Sequence, residues 1–229
     1  MTAPPLAPVP RAGSGTRATG TAWVDDPYAH ALRTGRGPLF LRRSDGWLLP
    51  LEVERWCAEP DAADVALLRR CRGPVLDIGC GPGRLVAALG GRGLPVLGVD
   101  VSPAAVARTR GAGGAVLRRS VFDRLPAEGR WRTALLADGN IGIGGDPSAL
   151  LARVRELLAP DGRLLAEAAA YDVDERLTVR VEDAGGRHGG DFPWARLGTV
   201  ALRRTAEAAG WAAVGEWAVG GRCFVELAR

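Results

Sequence analysis

The sequence predicts an α/β fold in which a mostly parallel sheet lies between two layers of helices. Strand-like and helix-like segments alternate from residue 74 to residue 169, and such alternation is typical of parallel sheets covered on both faces. A glycine-rich turn joins the first strand of this series to its helix. The chain then ends in two strand-like stretches joined by Gly220-Gly221, a pattern that indicates an antiparallel hairpin.

The alternating segments can be placed one by one along the chain. Strands are predicted at residues 74–78, 95–100, 115–119, 133–138 and 163–169, and helices at residues 84–89, 102–110 and 147–158. Ser102 before Pro103, and Asp146 before Pro147, are typical helix starts, with a capping side chain followed by proline in the first turn. After the fifth strand we predict a strand at 177–182, a helix at about 197–209, and strands at 211–219 and 222–227.

Composition fits one ordinary domain of 229 residues and narrows the functional classes. All 30 basic residues are arginine, and their doublets are scattered, so a nucleic-acid-binding stripe is not favoured. The four cysteines form no C-x-x-C pair, which favours reduced thiols over a zinc site or disulfide framework. No metal site is expected. No segment resembles a signal peptide or a membrane span, so the sequence predicts a cytoplasmic protein.

The most informative run is residues 75–85, Val-Leu-Asp-Ile-Gly-Cys-Gly-Pro-Gly-Arg-Leu. Glycines stand at alternate positions, Gly79, Gly81 and Gly83, directly after an apolar strand, and this arrangement lets backbone approach a ligand closely. Asp77 lies near the carboxyl end of that strand, where open α/β sheets bind ligands. The next strand ends on a second acid, Asp100, at a distance suited to the acid that binds ribose hydroxyls.

This run resembles the first motif of class I S-adenosylmethionine-dependent methyltransferases, Val-Leu-Asp-x-Gly-x-Gly-x-Gly. The resemblance implies a three-layer Rossmann-like fold, with a mostly parallel seven-stranded sheet and a C-terminal antiparallel hairpin. It also implies a methyltransferase core at residues 74–229 and an N-terminal helical lid over the cofactor at residues 21–73. Residues 1–20, rich in proline, alanine, glycine and threonine, are expected to form a flexible tail.

The glycine spacing also bears on which cofactor the loop holds. A dinucleotide fingerprint reads G-x-G-x-x-G, whereas the glycines here alternate. A carboxylate at Asp77 repels a pyrophosphate and attracts an ammonium group, such as that on the methionine end of S-adenosylmethionine. The resemblance therefore places Asp77, Gly79, Gly81 and Gly83 around the cofactor, and S-adenosylmethionine is the expected cofactor.

Further cofactor contacts follow from the resemblance. Asp100, with its neighbour Val101, is expected at the ribose. Related enzymes carry an aspartate after the third strand that accepts the adenine amino group, and Ser120 stands at that position here. The resemblance implies that the Val121 amide meets an adenine ring nitrogen. Phe122 either stacks on the adenine or belongs to the core.

The fourth strand is followed by Asp138-Gly-Asn140, which in this fold lies beside the transferable methyl group. Asp138 and Asn140 are expected to make polar contacts in the site, although Asp138 alternatively caps the turn. His30 and His188, the two histidines of the chain, are candidates for a general base because histidine titrates near neutral pH. A structural role is the alternative for each, and no catalytic residue is assigned.

The sequence favours a small-molecule methyl acceptor. Aromatic residues of the lid and of the Phe192-Pro-Trp194 segment offer an apolar pocket for a small molecule; the alternative is that these rings only pack the lid on the core. Three further functions stay open: an RNA methyltransferase of the same fold, a non-catalytic relative, and a nicotinamide-dependent oxidoreductase, which the glycine spacing disfavours. The oligomeric state does not follow from the sequence.

Overall fold

The computed structural model describes Trp23 and residues 26–229. The tail expected at residues 1–20 lies outside the described residues. The core elements are β3 (Val75–Ile78), α4 (Arg84–Gly91), β4 (Val96–Asp100), α5 (Pro103–Gly111), β5 (Val116–Arg118), β6 (Trp131–Leu136), α6 (Pro147–Leu157), β7 (Leu158–Ala168), α7 (Thr199–Ala208), β10 (Ala212–Val219) and β11 (Arg222–Ala228). A 3-10 helix, Asn140–Gly142, follows β6. The predicted order of strands and helices in the core is confirmed.

The core strands form one seven-stranded sheet in the order β10-β11-β7-β6-β3-β4-β5. The five strands from β3 to β7 pair in parallel, whereas β11 runs antiparallel to β7 and β10 antiparallel to β11. The predicted mostly parallel sheet with a C-terminal antiparallel hairpin is therefore confirmed. All four residues of β3 are buried, as expected for a central strand covered by helices on both faces.

Local capping signals explain where several helices begin. The Ser102 hydroxyl accepts a hydrogen bond from the Ala105 N–H at the start of α5. Asp146 accepts two backbone N–H bonds at the start of α6. The same chemistry starts α3 (Ala62–Leu68), where Asp61 and Asp64 form a capping box.

A second sheet was not anticipated. It has four antiparallel strands in the order β2-β1-β8-β9, with β1 (Leu39–Arg42), β2 (Leu48–Leu51), β8 (Asp174–Asp183) and β9 (Phe192–Leu197). Helices alone were expected at residues 21–73, but this segment holds α1 (Asp26–Thr34), the β1–β2 hairpin, α2 (Val53–Cys57) and α3. The hairpin was missed because its strands have four residues each, and β1 pairs with a strand far along the chain.

The carboxyl ends of β3, β4 and β6 meet at one edge of the large sheet, and the small sheet with α1 and α2 packs over that edge. Leu39, Leu41, Val179 and Val181 of the small sheet are buried against α1 in one apolar cluster. The fold thus encloses the loops that follow β3, β4 and β6. Among the described residues, no helix has the length and apolar character needed to cross a membrane.

Candidate active site

A cleft with about 1180 Å³ of empty space, part of it solvent at the mouth, lies at the edge where these loops meet. Of the residues expected to contact the cofactor or to lie beside the methyl group, nine line this cleft: Asp77, Gly79, Gly81, Asp100, Val101, Val121, Phe122, Asp138 and Asn140. Gly83 is not among the lining residues. The structure therefore brings together residues from four separate segments of the chain at one place.

The glycine loop depends on glycine for two different reasons. Gly79 and Gly83 both have left-handed backbone, with φ of +71° and +88°, which favours glycine. A Cβ on Gly79 would lie 2.7 Å from Asn140 Nδ2, so the loop and the Asn140 amide are in close contact. A Cβ on Gly83 would lie 2.6 Å from Thr109 Cγ2. The absence of a side chain at Gly83 thus lets the start of α4 pack closely against α5, and Gly83 does not face the cleft.

Asp77 is a buried carboxyl group whose hydrogen bonding is incomplete. It is 2 % exposed, and its Oδ2 has no hydrogen-bond partner among the described residues. Burial raises the pKa of Asp77 to about 7; the negative charge of Asp138 adds to this shift, and the Arg84 guanidinium opposes it. A buried acceptor without a donor is rare in folded proteins. Asp77 is therefore ready to receive a cationic or N–H donor.

Asp100 joins the end of β4 to the glycine loop. Its Oδ2 accepts a hydrogen bond from the Gly81 N–H at 2.9 Å, and its Oδ1 accepts one from the Ser102 N–H at 2.8 Å. Burial raises the pKa of Asp100, and these backbone hydrogen bonds oppose the shift. Because a carboxylate oxygen can accept two hydrogen bonds, Asp100 keeps acceptor capacity for a ligand hydroxyl.

The side chain of Asp138 is held by arginines, and the 3-10 helix after β6 has no side-chain cap. Its Oδ1 lies 2.7 Å from Arg55 Nη1 and 3.2 Å from Arg222 Nη2, and its Oδ2 lies 3.0 Å from Arg84 Nη2. Its backbone is left-handed, with φ of +56°, and its N–H donates to Glu167 Oε2. Arg84 also pairs with Asp64, and Arg222 also pairs with Asp61, Asp64 and Glu167. We call these seven side chains the arginine–carboxylate network.

Asn140 is held in one orientation by the glycine loop. Its Nδ2 donates to the carbonyl oxygens of Ile78 and Gly79, both at 2.9 Å. The reverse orientation would set the amide oxygen against two carbonyl oxygens, so these bonds fix which end of the amide is which. Asn140 lines the cleft, and no donor among the described residues bonds to its Oδ1. The Oδ1 atom is thus an oriented acceptor.

Aromatic rings line one side of the cleft. The Trp23 ring lies 5.0 Å from Tyr28, 5.1 Å from Phe192 and 5.6 Å from Trp194, between ring centroids. These four side chains, which we call the aromatic wall, all line the cleft, and they also pack α1 against the small sheet. The rings therefore both line the cleft and pack the N-terminal segment, and their role in binding an acceptor stays a prediction. Trp56 also lines the cleft, and its buried Nε1 has no hydrogen-bond partner among the described residues.

The segment after β5 supplies the remaining predicted lining. Ser120, Val121 and Phe122 line the cleft together with Arg119. The Ser120 hydroxyl accepts a hydrogen bond from the Phe122 N–H at 3.2 Å. Phe122 is half-buried and packs against the core cluster of the large sheet. It therefore contacts both the core and the cleft, and the sequence alone did not decide between these two positions.

The candidate general bases lie elsewhere. Neither His30, which is exposed on α1, nor His188, whose Nδ1 contacts the Gly189 carbonyl oxygen, lines the cleft. Cys80 does line it, but burial raises the pKa of its thiol well above the ordinary value. In the part of the chain that the structure describes, no group of three His, Cys, Asp or Glu side chains is arranged to hold a metal ion.

Sequence and structure comparisons give one family and many similar folds. A family model described as a methyltransferase domain matches residues 54–214. No curated protein matches the sequence significantly. A solved S-adenosylmethionine-dependent methyltransferase from Bacteroides fragilis, in complex with S-adenosyl-L-homocysteine, is 19% identical with a TM-score of 0.75, and the match covers 92% of this chain and 98% of that chain.

Two further solved structures share the fold over part of the chain. The 1,6-didemethyltoxoflavin-N1-methyltransferase of Burkholderia thailandensis is 21% identical with a TM-score of 0.53, and the match covers 73% of this chain and 78% of that one. The glycopeptide N-methyltransferase MtfA, complexed with S-adenosylmethionine, is 17% identical with a TM-score of 0.57, covering 74% and 94%. At these identities the likeness supports the Rossmann-like fold class.

Proposed function

This chain belongs to the methyltransferase-domain family, and we propose that it transfers the methyl group of S-adenosylmethionine to a small-molecule acceptor. The observation that carries the proposal is Asp77, a buried carboxyl group with an unpartnered oxygen at the alternating-glycine loop. When bound, S-adenosylmethionine supplies a methyl group that its sulfonium already activates for displacement. The protein then has to bind the cofactor and the acceptor, align them and exclude water, which are the contributions expected of this cleft.

The described residues fit this cofactor at several points. Asp77 would hold the ammonium of the methionine end. This ammonium would donate a hydrogen bond to the carboxyl oxygen that otherwise has no partner. Asp100, already fixed by two backbone N–H groups, would accept ribose hydroxyls, with Val101 beside it. The Val121 amide and the Phe122 ring would receive the adenine. Gly79 and Gly81 leave room because they carry no side chain at the cleft surface.

The enclosure of the cleft and the apolar character of its aromatic wall favour a small methyl acceptor over RNA. The small sheet and α1 cover the cleft, and the aromatic wall makes that side apolar, as in many small-molecule sites. Arg55, Arg84 and Arg222 lie near the cleft, but carboxylates of the arginine–carboxylate network neutralise them. They are therefore poorly suited to phosphate contacts. Two structural neighbours are described as methyltransferases of 1,6-didemethyltoxoflavin and of glycopeptides, which supports the same choice.

A nicotinamide-dependent oxidoreductase and a non-catalytic relative would each differ from a methyltransferase at the glycine loop. The oxidoreductase would place a pyrophosphate there, where Asp77 would repel it. The non-catalytic relative would keep the sheet without binding a cofactor. No ligand would then donate a hydrogen bond to an unpartnered carboxyl oxygen in its loop. The unpartnered Oδ2 of Asp77 therefore favours the methyltransferase.

We also propose a cytoplasmic location. Cys57, Cys71, Cys80 and Cys223 are all free thiols. Free thiols are expected in a reducing compartment, whereas disulfides form and persist in oxidising ones.

Calorimetry of the full chain tests the proposed function directly. We expect S-adenosylmethionine and S-adenosylhomocysteine to bind, NAD to show no binding, and Asp77→Ala to lose affinity for both adenosyl ligands. 5′-Methylthioadenosine, which lacks the amino-acid end, should bind wild type and Asp77→Ala alike. Absence of binding by both adenosyl ligands to the folded wild-type protein would overturn the proposal. Mass spectrometry of acceptor libraries with bound S-adenosylmethionine would then identify the methylated compound.

A further inference from the structure

The acceptor side of the cleft combines an oriented amide oxygen with an apolar aromatic surface. Asn140 Oδ1 is directed by the two hydrogen bonds from Nδ2 to Ile78 O and Gly79 O. It accepts no hydrogen bond from a described residue. A fixed neutral acceptor of this kind selects a ligand that carries a hydrogen-bond donor. Asn140 follows β6, whereas Phe122 and the proposed adenine position follow β5, three strands away in the sheet.

Groups able to take a proton from an acceptor hydroxyl are scarce in this cleft. The chain has no lysine, and both of its histidines, His30 and His188, lie outside the cleft lining. Burial raises the pKa of the Tyr28 hydroxyl and of the Cys80 thiol well above their ordinary values. These two groups therefore keep their protons at neutral pH and do not act as bases.

The remaining ionisable groups that line the described cleft are already committed. Asp138 is held by three guanidinium groups, which contact both of its carboxylate oxygens. Asp77 and Asp100 are assigned to the cofactor. Arg84 and Arg119 are guanidinium groups, which do not lose a proton in proteins. An alcohol, which has to be deprotonated as it reacts, would find no available base here.

We propose that the methyl acceptor is a flat aromatic or heteroaromatic small molecule with an uncharged nitrogen nucleophile, and that Asn140 Oδ1 orients this nitrogen by accepting one of its N–H hydrogens. The proposal rests on the proposed function and specifies its substrate class. The aromatic wall of Trp23, Tyr28, Phe192 and Trp194 supplies the surface against which a flat ring packs. An uncharged nitrogen brings its own lone pair, so the step needs no protein base.

The transfer balances without a further reagent. The nitrogen lone pair forms the new C–N bond while the methyl C–S bond breaks and its electron pair stays on sulfur. The positive charge passes from sulfur to nitrogen, and the methylated nitrogen then releases its N–H proton to water. As nitrogen becomes positive its N–H becomes more acidic, so the hydrogen bond to Asn140 Oδ1 strengthens in the transition state. The aromatic wall also attracts the developing positive charge.

A panel of matched acceptors tests the substrate class. It contains naphthylamines and naphthols, aminoindoles and hydroxyindoles, and aminoquinolines and hydroxyquinolines, with cyclohexylamine as a cationic, non-aromatic control. We expect nitrogen methylation in at least one pair, faster than oxygen methylation of its partner by at least about tenfold. Faster methylation of the hydroxy compounds or of cyclohexylamine would overturn the proposal. So would failure of the whole nitrogen arm with an enzyme that binds S-adenosylmethionine, whereas failure of that binding would instead overturn the proposed function.

Asn140→Ala separates orientation of the acceptor from binding of the cofactor. With the best amine of the panel we expect kcat to fall about 100-fold, while calorimetry gives an S-adenosylhomocysteine Kd within about threefold of wild type. Binding of the same amine to the S-adenosylhomocysteine complex, followed by tryptophan fluorescence, should weaken as well. A parallel loss of S-adenosylhomocysteine affinity, or an unchanged kcat, would assign Asn140 to the cofactor or to neither ligand and refute the proposed role.

The pH profile gives an independent readout. With S-adenosylmethionine saturating at every pH, protonation of Asp77 does not affect the rate through cofactor binding. The acidic limb of kcat/KM for the acceptor should then follow the pKa of the acceptor amine, because the nucleophile has to be uncharged and no protein base acts. Two amines of the panel with different pKa values should therefore shift this limb by the difference between them. A limb that stays at one pH for both amines would show that a protein group controls the step, which contradicts the proposal.

Discussion

The guanidinium of Arg84 and the carboxylate of Asp64 form an ion pair from which water is almost excluded. Arg84 Nε lies 2.9 Å from Asp64 Oδ2, and the two side chains are 3% and 0% exposed. Arg84 belongs to the first turn of α4, directly after the glycine loop, whereas Asp64 lies in α3. The pair therefore ties the N-terminal segment to the part of the core that carries the candidate cofactor loop.

Removal of one partner should be costly because it leaves a buried charge without compensation. For Asp64→Ala we expect a loss of about 3–5 kcal/mol in the free energy of unfolding, since Arg84 and Arg222 would both lose a carboxylate. Urea unfolding at pH 7 measures it. The exposed pair Arg132–Asp161 is the control, and Asp161→Ala should leave the free energy of unfolding almost unchanged. Equal losses in the two variants would show that the burial of Asp64 adds nothing to its effect on stability.

Because of Asp77, the free energy of unfolding and the affinity for the cofactor should change in opposite directions as pH rises. Burial raises its pKa from 3.8 to about 7, so between these values the folded state binds a proton that the unfolded state has released. The contribution of Asp77 to stability is therefore most favourable below about pH 4 and falls as pH rises to about 7. Above pH 7 the buried carboxylate costs about 4 kcal/mol, from about three pKa units at 1.36 kcal/mol each.

Asp77→Asn removes this penalty and the charge together. Urea unfolding should show the variant gaining stability relative to wild type as pH rises from 4 to 8, up to about 4 kcal/mol. Its affinity for S-adenosylmethionine should nevertheless fall at pH 8, because the neutral amide no longer attracts an ammonium. A stability difference that does not change with pH would contradict the shifted pKa, and an undiminished affinity would contradict the ammonium site.

Gly83 should be important for folding and not for ligand contact. A Cβ there would lie 2.6 Å from Thr109 Cγ2 and the backbone is left-handed, so Gly83→Ala combines a clash with backbone strain and should cost about 2–5 kcal/mol. Gly113 has φ of +79° with no atom near its Cβ position, so Gly113→Ala should cost only about 1–2 kcal/mol. Urea unfolding compares the two, and Thr109→Ala should rescue Gly83→Ala more than Gly113→Ala.

Asp100 should contribute to cofactor binding by accepting hydrogen bonds from the ribose hydroxyls. Asp100→Ala is expected to weaken S-adenosylhomocysteine binding by about 1–3 kcal/mol, because charge-assisted bonds to hydroxyls are lost and the Gly81 N–H loses its acceptor. The same loss should appear with 5′-methylthioadenosine, which keeps the ribose and lacks the amino-acid end. If calorimetry shows a loss for S-adenosylhomocysteine alone, Asp100 acts at the other end of the ligand.

The core and its glycine loop were predictable because their signals are local. Gly79, Gly81 and Gly83 lie within a run of five residues, directly after a strand that is buried on both faces. Ser102 and Asp146 marked helix starts through caps that act over two or three residues. Each such element is determined by neighbours in sequence, so the order of strands and helices followed from the chain alone.

The partners of Asp138 and the second sheet could not be predicted in the same way. Arg55, Arg84 and Arg222 reach Asp138 from α2, α4 and β11, and Arg222 is 84 residues away along the chain. Arg42 of β1 bonds Glu182 of β8 across 140 residues. No periodicity links such positions, so only the folded arrangement shows that Asp138 is neutralised and that a sheet covers the cleft.

The two histidines give a last test, because both lie outside the cleft and neither should contribute to catalysis. They are the side chains whose ordinary pKa best suits a general base at neutral pH, yet His30 is exposed on α1 and His188 contacts the Gly189 carbonyl oxygen outside the cleft. We expect His30→Ala, His188→Ala and the double variant to keep kcat/KM within about twofold of wild type. Steady-state kinetics from pH 5 to 9 with the best acceptor would measure this. Loss of a limb of the pH profile in any of the three variants would mean that a histidine reaches the acceptor in the working enzyme, and the elimination of a protein base would no longer hold.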